Sequence, residues 1–205
     1  MLLNKLKNEI DLKIVYYGPA LAGKTENLKY IYSKISPERR GELVKIDTKG
    51  ERTLYFDFMP IEIKLEPYKL KVHLFSVPGQ VFYRASRKLV LKGFDGIIFV
   101  ADSSPDRREA NIQSMEEMLS NIQSDGIKIE DIPIVLQYNK RDLTNALSIE
   151  VLQNDLNRNN WQYVLAVASE GKGVIETLDL CLKLTIKSVK AKIIWTYISF
   201  YHLGF

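Results

Sequence analysis

The eight residues GPALAGKT, 18–25, constrain this chain more than any other stretch. They fit G-x-x-x-x-G-K-[ST] at every fixed position. They also follow the short apolar run LKIVYY (12–17) and precede Leu28, Ile31, Tyr32 and Ile35 at helical spacing. That order predicts strand, loop and helix, the context in which such a loop cradles phosphate. Its N–H groups and the positive start of the helix would face phosphate oxygens, with Lys24 reaching the β- and γ-phosphates and the Thr25 hydroxyl binding Mg²⁺. The motif chooses neither a base nor a reaction, since an ATPase or a nucleoside kinase would carry it too.

The rest of the chain alternates in type. TLYFDFMPIEI (53–63) and YKLKVHLF (68–75) are rich in β-formers and joined by a few residues around Pro67, which implies an antiparallel pair. FDGIIFVAD (94–102) and IPIVLQY (132–138) are unbroken apolar runs of the kind buried on both faces of a sheet. Helical spacing marks Ile112 to Ile122, Ile149 to Leu156 and Val174 to Val189, with a short strand YVLAV (163–167) between the last two. The expected fold is α/β: a mostly parallel six-stranded sheet with helices on both faces and one antiparallel edge hairpin. Ligands would bind at the carboxyl ends of the strands. A chain of 205 residues suits one core, so one domain over 1–190 is expected, followed by an apolar, aromatic tail over 191–205.

Composition excludes several classes. The single cysteine, Cys181, rules out an internal disulfide, and MLLNKLKNEIDL does not read as a signal peptide, which together point to the cytoplasm. No apolar run reaches the ~18 residues that a membrane-spanning helix needs. The net charge of +4 is too small and too dispersed for a nucleic-acid binder, and no aromatics are interleaved with the basic cluster Arg84, Arg87, Lys88 and Lys92. That cluster reads as a solvated helix face. His73 has no histidine or cysteine near it and reads as structural.

YNKRD (138–142) supplies Asn139, Lys140 and Asp142 at the end of a strand. A carboxylate here can accept both donors of the guanine edge, whereas adenine would leave it unpaired. At these residues the chain resembles the Ras-like small GTPases. In that family the Asp reads guanine, the Lys stem lies over the ring, the Asn braces the phosphate loop, and a loop like AVAS contributes Ala168 and Ser169. KIVYYGPALAGKT, ERTLYFDFMP, VPGQVFYRASRKLVLKG, DGIIFVADS and QYNKRDL narrow the resemblance to bacterial polarity GTPases of the MglA type, over about residues 10–190. It implies a GTP/GDP switch that sets the front and rear of motile cells. It also implies a monomer regulated by a homodimeric roadblock-fold partner of the MglB type, with effectors that the sequence does not name.

The resemblance also assigns the catalytic parts. Gly79 would sense the γ-phosphate and Gln80 would orient the attacking water; Thr53 would join Thr25 on Mg²⁺, and Arg52 would act as an arginine finger in cis. The expected catalytic set is thus Gln80, Arg52 and Lys24. The expected GTP-binding set is Gly18, Pro19, Ala20, Leu21, Ala22, Gly23, Lys24, Thr25, Thr53, Gly79, Asn139, Lys140, Asp142, Ala168 and Ser169. Where most relatives keep an Asp for the metal, LFSVPGQ (74–80) has Ser76. This weakens the metal site unless another carboxylate, such as Asp57, compensates. Hydrolysis is therefore expected to be slow alone and stimulated by a partner. The alternative is a nucleotide-bound scaffold with negligible turnover. The tail KAKIIWTYISFYHLGF (190–205) departs from the resemblance and is a candidate for packing on the domain or for peripheral membrane contact.

Overall fold

The computed structural model describes residues 2–4, 8–47, 55–65, 68–78 and 84–202, with side chains for 8–44, 58–63, 68–78 and 87–190. The strands are β1 (Leu2–Asn4), β2 (Glu9–Tyr17), β3 (Val44–Asp47), β4 (Tyr55–Leu65), β5 (Tyr68–Ser76), β6 (Gly96–Asp102), β7 (Ile134–Asn139) and β8 (Gln162–Leu165). The α-helices are α1 (Lys24–Lys34), α2 (Arg84–Leu91), α3 (Arg108–Ser124), α4 (Ile149–Leu156) and α5 (Val174–His202).

The strands form one sheet in the order β3-β4-β5-β2-β6-β7-β8, with β1 paired to β2. The six expected strands are present, parallel from β5 through β2, β6 and β7 to β8. β4 and β5 form the antiparallel hairpin. Two short strands extend this sheet. β3 pairs antiparallel with β4 at one edge, and β1 covers the start of β2 where β6 has not yet begun. Because β2 has β5 on one side and β6 on the other, the chain leaves it in opposite directions. That reversal opens a crevice beyond the carboxyl end of β2, where the phosphate loop begins.

Period-2 alternation divides β2 between two cores. Ile14 and Tyr16 join Leu28, Ile31, Leu178 and Cys181 on the α1 and α5 face. Val15 and Tyr17 join Met115, Met118, Leu136 and Leu152 on the face covered by α2, α3 and α4. This two-sided burial explains why β6 and β7 read as unbroken apolar runs: every residue in both is buried. Burial also pushes the Cys181 thiol up to about 12, so it packs as a small apolar group.

One buried polar network crosses the first of these cores. Gln137 accepts from the Asn27 amide at 2.8 Å, donates back to Asn27 Oδ1 at 2.9 Å, and donates to Thr177 Oγ1 at 2.9 Å. It ties α1, β7 and α5 together beneath the phosphate loop. Removing one member leaves buried partners unsatisfied, at about 1–3 kcal/mol for each group stranded. Gln137→Ala is expected to lower stability by about 2–4 kcal/mol, read as a fall of roughly 5–15 °C in Tm by calorimetry. A shift within 1 °C or so would mean that the network contributes nothing.

One expectation changes. The cluster at Arg84 to Lys92 is not one solvated face: Arg87 is 5% exposed, with Nε on Glu117 Oε1 at 2.9 Å and Nη2 on Glu117 Oε2 at 2.7 Å. This bidentate pair fastens α2 to α3, and Nη1 reaches the Pro78 carbonyl at 3.4 Å, just after β5. α5 also crosses residue 190 without a break and continues to His202. Among the described residues no helix is long and apolar enough to cross a membrane. His73 is structural as expected, its Nε2 lying 2.9 Å from Asp11 Oδ1.

Candidate nucleotide-binding site

The phosphate loop leaves β2 at Gly18 and enters α1 at Lys24, and each fixed glycine has a local steric reason. Gly18 has φ +137°, and a Cβ there would collide with the Val100 carbonyl oxygen of β6. Gly23, the N-cap of α1, has φ +102°, and a Cβ would collide with the Asn139 side-chain amide. Any other residue would push the loop off β6 or β7.

The loop's carbonyls are held by side chains. Lys24, 6% exposed, donates to Gly18 O at 2.8 Å and Pro19 O at 2.6 Å. Arg107 donates to Ala20 O at 2.8 Å, and the Asn139 amide donates to Ala22 O at 2.8 Å. The Ala22 N–H bonds back to Pro19 O at 3.4 Å, and with the carbonyls engaged in this way the other peptide N–H groups of the loop are the donors from which a phosphate nest is made. Two glycines packed too closely on β6 and on Asn139 to carry a Cβ, leading into the start of an α-helix of 11 residues, form a loop that fits a polyphosphate. Thr25 lies one residue into α1, within the same turn as the nest.

The base motif meets the loop through Asn139. This residue is 2% exposed, and while its amide nitrogen holds Ala22 O its Oδ1 accepts from the Ala168 N–H at 2.8 Å. One side chain thus joins the phosphate loop, the end of β7 and the AVAS segment. Lys140 donates to Asp102 Oδ2 at 2.6 Å, and Asp102 is fully buried at the end of β6. Asp102 also accepts from the Ser104 N–H at 3.0 Å, while Asn111 bonds its backbone on both sides, so the buried carboxylate is paired and solvated by the protein. Asp142 and Ser169 are exposed, and Ala168 is buried. Lys172 has its pKa raised by Glu170 and, more weakly, by Asp142, which keeps a cation on this rim.

Backbone strain marks the same place. Among the described residues, four other than glycine have positive φ. Asn8 and Asn160 are of a type that tolerates it, whereas Leu21 (φ 65°) and Lys140 (φ 63°) are not, and both lie in the loops just described. Leu21 is also 81% exposed at the tip of the phosphate loop.

The structure therefore brings together Gly18 to Thr25, Asn139, Lys140 and Ala168. Arg52, Thr53, Gly79 and Gln80 lie outside the described residues. For Ser76 the pairing register is informative: it is buried, and its Cα partner on β4 is Asp57. Sequence reasoning missed Asp102, Arg107 and Gln137. A carboxylate closing an apolar strand and a glutamine inside IVLQYN were visible signals for two of them, because a polar residue in a doubly buried strand needs a partner.

A model of the ADP-ribosylation factor family matches residues 1–185. The chain is 48% identical, over 189 residues, to the "Mutual gliding-motility protein MglA" of Myxococcus xanthus (strain DK1622), which covers 92% of this chain and 97% of that protein.

Proposed function

This chain belongs to the ADP-ribosylation factor family of small GTPases, and from that premise we propose that it is a GTP-hydrolysing switch controlling cell polarity or gliding motility. The observation that carries this reading is the Asn139 bridge from Ala22 O to Ala168 N, which fastens the phosphate and base halves of one nucleotide site. Asp142 would accept from the guanine edge, and the stem of Lys140, anchored on Asp102, would flank the ring. The phosphate-loop N–H groups and Lys24 would take the α-, β- and γ-phosphates. Mg²⁺ would be held by Thr25 and Thr53. When bound, it neutralises charge on the β- and γ-phosphate oxygens. Arg52 would add positive charge at the phosphates, and Gln80 would orient the attacking water. Gly79 would report the γ-phosphate, so residues about 40–53 and 76–92 change with nucleotide state and with them the partner that binds.

Ser76 supplies no charge, and the register supports Asp57 as the replacement carboxylate. Directly opposed residues of an antiparallel pair have Cβ atoms ~5 Å apart, so β4 can deliver to the metal's outer shell what β5 lacks. Asp57→Asn is expected to raise the Mg²⁺ concentration needed for half-maximal nucleotide retention by ~10-fold or more. An unchanged titration would remove Asp57 from the metal site.

The wider resemblance supports a dimeric roadblock-fold regulator of the MglB type, acting on a monomeric switch in the cytoplasm, with residues 1–190 as the GTPase domain. Displacement of a fluorescent GDP analogue by unlabelled nucleotides tests the base assignment. GDP and GTP should compete, and ADP and ATP should fail at the same concentrations. Equal competition by ATP would overturn it.

A further inference from the structure

We propose that Arg107, which ends the 3-10 turn Pro105–Arg107 before α3, is a positioning residue that sets the phosphate loop for the β-phosphate. The inference rests on the nucleotide reading above and adds a residue that the loop motif does not contain.

Three observations carry it. The first is the loop's own bookkeeping of acceptors. Lys24 serves Gly18 and Pro19 from inside the loop, Asn139 serves Ala22 from β7, and of the two carbonyls between them that of Ala20 is served by Arg107 at 2.8 Å. A peptide whose carbonyl is fixed outward has its neighbouring N–H groups turned inward, and those N–H groups form the nest. Ala20 sits directly before Leu21, whose φ of 65° is held against its steric preference. Such a strained residue persists only when its neighbours over-determine it, and the Arg107 bond is the restraint on its N-terminal side.

The second observation concerns charge. Among the described residues Arg107 makes no ion pair, so its guanidinium is not spent on a carboxylate as those of Arg87 and Arg108 are. The third is the state of its other donor. Arg107 Nε is buried and has no hydrogen-bond partner among the described residues, although the guanidinium presents a fork of donors in one plane. Among the described residues the one acceptor of this cation is a phosphate-loop carbonyl, so its positive charge is left to act at the phosphate end of the site. A tie that merely fastened α3 to the loop would need neither feature.

The same connection serves the other half of the site. Asp102, five residues earlier, holds Lys140. The segment from 102 to 107 therefore runs from the base motif to the phosphate loop, and Arg107 is its phosphate end.

The test compares GDP with GMP, which lacks the β-phosphate, in equilibrium binding to the full chain and to Arg107→Ala and Arg107→Lys. Arg107→Ala should weaken GDP ~10- to 100-fold, the loss of a charge-assisted bond, and GMP by less than ~3-fold. Arg107→Lys, whose ammonium can still donate to Ala20 O, should recover most of the GDP loss. Both titrations are run well below the Tm of each nucleotide-free variant, so that a fall in stability from the lost Ala20 bond is not read as lost affinity. Equal weakening of GDP and GMP with a lowered Tm would reduce Arg107 to a structural tie and overturn the proposal, as would an unchanged GDP affinity. The natural protein in the same titration separates the two readings, because absence of GDP binding there would fail the nucleotide assignment itself.

Discussion

Arg52→Ala should lower single-turnover GTP hydrolysis by ~10³-fold or more while changing GDP affinity little. An arginine supplied in cis stabilises charge that develops on the transferring phosphoryl group, and where such a residue acts it contributes ~10³ to 10⁵ in rate. The ground state gains much less from it, so rate and affinity should separate. This separation distinguishes a finger from an arginine that merely helps to hold nucleotide. Rapid mixing of GTP-loaded protein with Mg²⁺, followed by phosphate release, reads the rate; displacement of a fluorescent GDP analogue reads the affinity. A variant that hydrolyses GTP within a few-fold of the natural rate would show that Arg52 is no finger and that the rate comes from the rest of the site.

The second large effect concerns the base. Asp142→Asn replaces two acceptors by one acceptor and one donor. It therefore loses at least one charge-assisted bond to guanine and sets an N–H against a guanine donor. Affinity for GTP should fall ~10²-fold or more. Xanthine carries a carbonyl where guanine carries its amino group, so the same variant should bind xanthosine triphosphate more tightly than the natural protein does. Reciprocal titrations of the two nucleotides against the two proteins check this. Parallel losses for both bases would mean that Asp142 acts on fold and not on recognition. The surrounding geometry favours recognition: Asp142 is exposed on a rim, while the buried work of the base motif is done by Asn139 and by the pair of Lys140 with Asp102.

The parts of this molecule that were legible in sequence are those whose cause is local. The turn after β2 needs glycine where the chain grazes Val100 and Asn139, so the loop motif carries its own geometry. β6 and β7 are buried on both faces and read as unbroken apolar runs. β1 and β3 gave no such signal. They are three and four residues long, lie at sheet margins, and owe their form to pairing with β2 and β4 and not to any pattern of their own. Arg87 misled for a related reason. A basic run on an amphipathic helix reads as a solvated face, and only the position of Glu117 on α3, thirty residues later, turns one member inward. Arg107 and Asp102 lie in SPDRRE and at the end of an apolar strand. Their roles depend on a connection that passes both the phosphate loop and the base motif, a juxtaposition created by the topology of β2, β6 and β7.

If nucleotide state is changed by hydrolysis within this site, single-turnover GTP hydrolysis by the unaltered protein with Mg²⁺, alone and with a roadblock-fold dimer, should show it. Phosphate should be released slowly by the protein alone and markedly faster with the dimer, and chelation of Mg²⁺ should abolish the acceleration. GTP retained intact under every one of these conditions would contradict it, and would make this chain a nucleotide-bound scaffold.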